Sequence, residues 1–332
     1  MRPGLQITGL GILLLLASGC LSHHQGPLDG EPAEATYAEL EETRIRYIDT
    51  GTDNPPVVLI HGFASSLNAW DSVVPALETN HRVIALDLKG FGWSGRPEGD
   101  YSPKAQAEIV FALMDQLGIE RASIVAHSWG SSIALQMALD SPDRIERIAL
   151  YDAWVYAEQL PTFFVWARAP VIGELLFAMF YKERPDEKIE SAFYDPEILD
   201  QKFVEHVEEM LSRPGTSAAA LAAVRGQKYE NVQTRYATIQ KPVLLLWGRE
   251  DVVTTLDMGE RLVRQLPDAR MVVYPRCGHF PMIEAAEASN RDLVDFLSDG
   301  LDDVRVDEPI NSEPVAPEKE PAPVIAPPAE AL

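Results

Sequence analysis

The stretch IVAHSWGSS, residues 124–132, runs an apolar string into a serine that has a small residue two positions to either side, Ala126 and Gly130. A short apolar run followed at once by SSIALQMAL (131–139) at helical spacing reads as a buried strand turning sharply into a helix. Such a turn crowds the residues two before and two after its apex, so both must be small. It presents the apex side chain at the strand end, in front of a helix N-terminus that favours developing negative charge. Ser128 is therefore a candidate nucleophile. Alanine at 126, where the G-x-S-x-G pattern has its first glycine, keeps the steric logic. His127 adjoins the serine, but neighbouring side chains diverge at a turn of this kind. It is expected to support the turn, and the base that activates Ser128 is sought elsewhere.

Working outward, further β-rich runs alternate with helical ones: RIRYID (44–49), PVVLIHG (56–62), RVIALDL (82–88), RIALYD (147–152), PVLLLWG (242–248) and RMVVYP (270–275). The uninterrupted strings VVLI, IVA and VLLL suit central strands buried on both faces. Helices fit KAQAEIVFALMDQLG (104–118), SSIALQMAL and EASNRDLVDFL (287–297). The expected class is α/β, a mostly parallel sheet flanked by helices. No strand-like run interrupts residues 155–235, so that stretch, with PVIGELLFAMFY and DQKFVEHVEEML, reads as a helical insertion in the core formed by 37–154 and 236–300.

The 332 residues suit one such core with its insertion. A formal net charge of -23 repels phosphate backbones, and no basic patch is interleaved with aromatics, so nucleic acid is excluded as a partner. Gly90 to Gly95 spell G-x-G-x-x-G after RVIALDL, but a dinucleotide site needs a helix to open directly behind it, and RPEGDY follows instead. Asp87 is read as a structural carboxylate holding that turn. With no H-E-x-x-H or C-x-x-C pair, neither metal nor other cofactor is expected.

The first twenty residues carry Arg2, an apolar run from about Leu10 to Ala17 and small residues up to Cys20, the pattern of an export signal too short to span a bilayer. Ala17-Ser18-Gly19-Cys20 resembles a bacterial lipobox, which implies acylation of Cys20 and an envelope lipoprotein held to a membrane. Residues 21–36 suit a tether, and the Pro/Glu-rich residues 301–332 a disordered tail. The other cysteine, Cys277, reads as a small packed residue.

HGFASSLNAW (61–70), DLKGFGWSGRP (87–97), AHSWGSS (126–132), WGREDVVT (247–254) and CGHFPMIE (277–284) together resemble the α/β-hydrolase superfamily. The likeness is to its capped branch of esterases, C-C bond hydrolases and haloperoxidase-like enzymes. In that fold the insertion is a helical cap between strands 6 and 7. The resemblance implies a Ser-acid-His triad in chain order. It places the base at His279, after the last strand, and the acid at Asp251, with Asp152 at the alternative strand end. The oxyanion hole falls to the backbone N-H groups of Phe63 and Trp129. His61 would shape the oxyanion turn, and Glu250 would face away.

A serine rather than a carboxylate at 128 suits attack on acyl carbon. The expected activity is hydrolysis of a small, apolar ester by way of an acyl-enzyme. The alternatives are C-C bond or haloperoxidase-like chemistry with the same triad, and a non-catalytic surface-binding lipoprotein on the same scaffold.

Overall fold

The apolar runs form one eight-stranded sheet in a computed structural model of the protein, which describes residues 21–40, 43–199 and 201–298. The strands are β1 (Thr36–Glu39), β2 (Arg44–Asp49), β3 (Pro56–Ile60), β4 (Arg82–Leu86), β5 (Ala122–His127), β6 (Ile145–Tyr151), β7 (Val243–Gly248) and β8 (Ala269–Tyr274). Their order is β1-β2-β4-β3-β5-β6-β7-β8; β1 pairs with β2 and β2 with β4 antiparallel, and every other pairing is parallel. Parallel strands need helical crossovers on both faces, which is why β3, β5 and β7 carry apolar residues without alternation and bury nearly all of them.

The crossovers are α1 (Val74–Leu77), α2 (Pro103–Gln116) and α3 (Gly130–Asp140). The first turn of α2 is fixed by Pro103 and by the Ser102 hydroxyl, which accepts from the Ala105 amide at 3.2 Å. Behind the Ser128 turn, α3 is buried over nine of its eleven residues, so it is apolar all round rather than striped.

Between β6 and β7 lie the cap helices α4 (Thr162–Ala167), α5 (Ile172–Phe180), α6 (Pro185–Glu190), α7 (Gln201–Ser212) and α8 (Thr216–Gly226). Polar contacts seat this cap on the loops at the C-terminal ends of the strands. The Arg213 guanidinium lies 3.4 Å above the Trp93 ring and donates to the Gly92 carbonyl, Arg96 Nε donates to Thr216 Oγ1, and His206 Nε2 meets Ser66 Oγ at 3.2 Å. The chain closes with α9 (Leu256–Gln265), α10 (Pro281–Glu284) and α11 (Ala286–Leu297). Because β3 and β5 to β8 run in the same direction, the loops after them converge at one edge of the sheet, where ligand sites of such folds lie.

Two features differ from the sequence expectations. β1 stands where the tether was to give way to the core; it is four residues long and buries only Ala38, too short and too exposed to show a pattern. Residues 21–35 are not a free tether either. Leu28 is buried, its amide bonded to Glu31 Oε1, and Glu31 pairs with Arg44 of β2, while the His24 amide bridges to the Arg96 carbonyl. The expected signal peptide, Cys20 and tail lie outside the described residues. No helix of the described residues is long and apolar enough to cross a membrane.

The G-x-G-x-x-G stretch is a set of turns wrapped on Asp87. Its fully buried carboxylate accepts from the amides of Leu67 and Trp93, both at 2.7 Å, and faces Arg46. Asp87→Ala strands two buried N-H groups and a guanidinium, and should lower unfolding free energy by about 3 kcal/mol. A urea midpoint unchanged from the parent would remove Asp87 from this role.

Candidate active site

Ser128 sits at φ 51°, in the left-handed region that costs a non-glycine residue about 1–3 kcal/mol. Neighbouring chain holds it there: its amide donates to the Tyr151 carbonyl at 2.9 Å, and its own carbonyl accepts from Trp154 and Ser131, each at 3.0 Å. The crowding expected two residues on is severe. A Cβ at Gly130 would stand 2.5 Å from the carbonyl oxygens of both Ile60 and His61, so only glycine lets α3 start this close to the loop after β3.

The structure brings Ser128, His279 and Asp251 together. His279 Nε2 lies 3.0 Å from Ser128 Oγ, and His279 Nδ1 lies 2.8 Å from Asp251 Oδ2, with all three residues buried. With the Nδ1 proton shared toward the carboxylate, Nε2 is free to accept the serine proton. Burial by itself would raise the Asp251 pKa, but the His279 ring, the Thr254 hydroxyl at 2.6 Å and the Val253 amide at 2.7 Å together hold it below the usual value.

Asp152, the other candidate acid, is next to this pair without joining it. Its Oδ1 accepts from the Gly248 amide and its Oδ2 has no partner. Complete burial and the nearby Asp251 charge push its pKa well above the normal range, so Asp152 is the neutral member of the two. Oxygen and nitrogen atoms of Asp152, Asp251 and His279 lie within 4.8 Å of one another, a grouping that could suit a cation. The hydrogen bonds already made by Asp251 and the uncharged state of Asp152 suit a proton relay better.

His127 turns away from the serine. Its Nε2 donates to the His279 carbonyl at 2.9 Å, and burial, reinforced by the His279 ring, lowers its pKa to about 3. It therefore stays neutral and braces the loop that carries His279. His61 is another buried neutral imidazole. Its Nδ1 donates to the Gly62 carbonyl and its Nε2 accepts from the Leu88 amide, so it pins the turn that precedes Phe63. No hydrogen bond among the described residues engages the amide of Phe63 or of Trp129.

A group absent from the sequence reading organises the base loop. Glu284 Oε1 accepts from the Gly278 amide at 2.9 Å and the Phe280 amide at 3.2 Å, and Glu284 Oε2 accepts from the Tyr194 amide of the cap at 2.7 Å. Between them the His279 amide donates to the cap carbonyl of Ala192 at 2.7 Å. On the other side the Cys277 amide donates to Glu250 Oε2, which gives that carboxylate a place in the loop although it faces away from the serine. Glu284 closes the CGHFPMIE motif, but its cap partner, Tyr194, lies 90 residues away, so spacing alone gave it no role.

Above Ser128 opens a chamber of about 630 Å³. Its wall includes the aromatic rings of Phe63, Trp154, Phe163, Phe164, Phe180, Tyr181, Phe203 and Phe280. Lys188 is the one cation among the described residues lining it. Its ammonium donates to the carbonyls of Phe180 and Tyr181, and burial lowers its pKa.

Strained serine, imidazole, carboxylate and covering cap define a hydrolase of the α/β class, and comparison with known proteins agrees. The profile of the alpha/beta hydrolase fold matches residues 55–286, and the chain belongs to that family. It is 30% identical over 269 residues to a 2-hydroxy-6-oxononadienedioate/2-hydroxy-6-oxononatrienedioate hydrolase of Burkholderia vietnamiensis, covering 77% of this chain and 91% of that protein. Among solved structures it is similar to an enol-lactonase from Burkholderia xenovorans LB400, with TM-score 0.68 and 25% identity over 80% of this chain and all of that one. It is also similar to a 2-hydroxy-6-oxo-6-phenylhexa-2,4-dienoate hydrolase from Rhodococcus sp. strain RHA1, with TM-score 0.67 and 25% identity over 79% of this chain and all of that one.

Two outcomes follow. The unfolded chain protonates His127 near pH 6.5 whereas the folded one does not until about 3, so stability falls as pH drops through that window, by about 1.4 kcal/mol per pH unit. His127→Asn should therefore reduce the stability lost between pH 7 and pH 5 by about 2 kcal/mol, read from urea unfolding at both values. Glu284→Gln should slow labelling of Ser128 by a fluorophosphonate about tenfold at unchanged secondary structure, because the imidazole is held less well over the serine. Labelling at the parent rate would deny Glu284 this positioning part.

Proposed function

We propose that the protein is a serine hydrolase that cleaves an acyl bond of a small, apolar substrate. The observation that carries the reading is the buried relay of 3.0 and 2.8 Å from Ser128 through His279 to Asp251, opening into an aromatic chamber. Ser128 Oγ attacks the carbonyl carbon while its proton passes to His279 Nε2. The Phe63 and Trp129 amides, free of other partners, donate to the oxyanion. His279 then protonates the departing group, the carbon-to-leaving-group bond breaks, and a serine ester remains. Water attacks that ester as His279 takes its proton, releasing the acid and restoring the hydroxyl. Asp251, ionised, holds the imidazole in place and stabilises its charged form.

The first substrates to try are esters and lactones, whose uncharged acyl parts match the chamber wall. A second reading, C-C bond hydrolysis by the same three residues, is favoured by the relatives named as hydroxy-oxo-dienoate hydrolases. A dioate carries two carboxylates, and Lys188 offers one ammonium. A monocarboxylate with an apolar end, such as the phenyl-bearing dienoate, therefore suits this chamber better than the dioate. We also propose export and acylation at Cys20, supported by the sequence of residues 1–20, in which case Cys20→Ser releases the protein from membranes.

A fluorophosphonate should label Ser128 in folded protein. Ser128→Ala should abolish labelling and lower kcat at least about 10³-fold on p-nitrophenyl esters or on the phenyl-bearing dienoate, whichever is turned over. Asp251→Asn should cost about 10⁴-fold, and Asp152→Asn far less. Absence of labelling would leave a binding protein on a hydrolase scaffold. An effect of Asp152→Asn as large as that of Asp251→Asn would move the acid to Asp152.

A further inference from the structure

The exposed side chains of α4 and α5 are uncharged and mostly apolar where those of α6 and α7 are mostly charged. Val165 and Trp166 of α4, Val171 just before α5, and Ile172 and Met179 of α5 are each 46–61% exposed. Ile172 and Met179 fall seven residues apart with half-buried Leu176 between them, a single stripe along α5. From Pro161 to Phe180 the charged side chains are Arg168 and Glu174, and both are paired: Arg168 with Glu230 at 3.7 Å, and Glu174 with Arg225 at 2.8 Å. A twenty-residue segment with no free charge is unusual in a protein of net charge -23 that carries 51 acidic side chains. It is also the face on which such a protein can approach an anionic surface without repulsion.

Two further observations fix what covers this face. Phe180, at the end of the stripe, is itself 46% exposed and lines the chamber over Ser128, so the patch leads into the site. Leu21, the first described residue, lies in a cleft with Glu174 of α5 and Leu221, Ala222 and Arg225 of α8. Residues 1–20, with the apolar run and Cys20, thus join the described chain at a cleft that α5 lines through Glu174, one helix width from the side that presents Ile172. A chain held to a bilayer at that point has its apolar cap face within reach of the lipid.

We propose that the cap face of α4 and α5 docks on a lipid bilayer, so that apolar substrates pass from the membrane past Phe180 into the chamber. A Trp with aliphatic neighbours and no uncompensated charge has the chemistry of a face that rests at the boundary of headgroups and acyl chains. Docking does not depend on which bond the enzyme cleaves.

Tryptophan fluorescence tests it without labels. Of the six tryptophans, Trp70, Trp93, Trp129, Trp154 and Trp247 are buried and Trp166 is 61% exposed. The full chain is added to vesicles of phosphatidylcholine with a minority of phosphatidylglycerol, with and without bromine on the acyl chains. Bromine should quench the emission, and Trp166→Phe should abolish the quenching. Two results would overturn the proposal. One is protein that floats with the vesicles while Trp166 escapes bromine. The other is Trp166 already shielded from aqueous acrylamide without lipid, the mark of a second copy or another segment of the chain on the patch. With turnover in hand, Trp166→Glu combined with Met179→Glu should reduce hydrolysis of a vesicle-borne long-chain ester at least about fivefold, and leave a water-soluble short ester within about twofold of the parent. Equal loss on both substrates would count against docking, whereas quenching without any turnover would sustain docking and sink the hydrolase reading.

Discussion

The left-handed backbone at Ser128 is the constraint on which the site depends. Reversing the chain between β5 and α3 within one residue points the hydroxyl out of the sheet edge and draws the start of α3 against the loop after β3. That approach leaves no room for a side chain at Gly130, and it sets Ser128 against Gly62, the residue before Phe63. It also sends the two side chains of the His-Ser pair in different directions. Ser128 faces His279 through its imidazole, and His127 faces the same residue through its carbonyl. One histidine is thus gripped from both ends by consecutive residues of the elbow, which makes the strain at φ 51° part of how the base is located.

Electrostatics then divides the buried carboxylates. Two acids in one dry site cannot both be ionised cheaply, and the outcome is settled by donors. Asp251 collects the imidazole, a hydroxyl and backbone amides, while Asp152 has the Gly248 amide and an unpartnered oxygen. Of the two, Asp251 is the one that carries the charge, against His279. His127 and His61, both forced neutral by burial, add polar anchoring without adding a competing charge.

Much of this was legible in the sequence, for identifiable reasons. Central strands announce themselves because burial on both faces demands uninterrupted apolar residues. β3, β5 and β7 were placed from such strings and β2, β4, β6 and β8 from shorter β-rich runs, while β1, with only Ala38 buried, left no trace. The meeting of Ser128, His279 and Asp251 in space was legible because the elbow restricts the neighbours of Ser128 and motif order puts the other two at strand ends on the same edge. What escaped was whatever depends on contacts between distant segments. Leu28 and Glu31 have the composition of a tether until β2 supplies Arg44. The buried state of Asp152 beside Asp251 shows only once their donors are counted, and Lys188 is one lysine in a charged stretch until the cap folds it over the chamber.

Glu284 shows how far that dependence reaches. A single carboxylate takes amides from either side of His279 and from Tyr194 in the cap, and the His279 amide itself is held by Ala192 of the same cap segment. A Cβ at Gly278 would stand 2.4 Å from the Ala192 carbonyl, so cap and base loop touch with no side chain between them. Cap and base are therefore not separate modules, one shaping the chamber and the other doing chemistry. Any shift of the segment at 192–194 moves the backbone of the base directly, at distances where a misplacement of about 1 Å costs orders of magnitude in rate. Ala192 also lines the chamber, so a ligand that displaced this segment would displace the His279 backbone with it, through the four hydrogen bonds that Glu284 and Ala192 make.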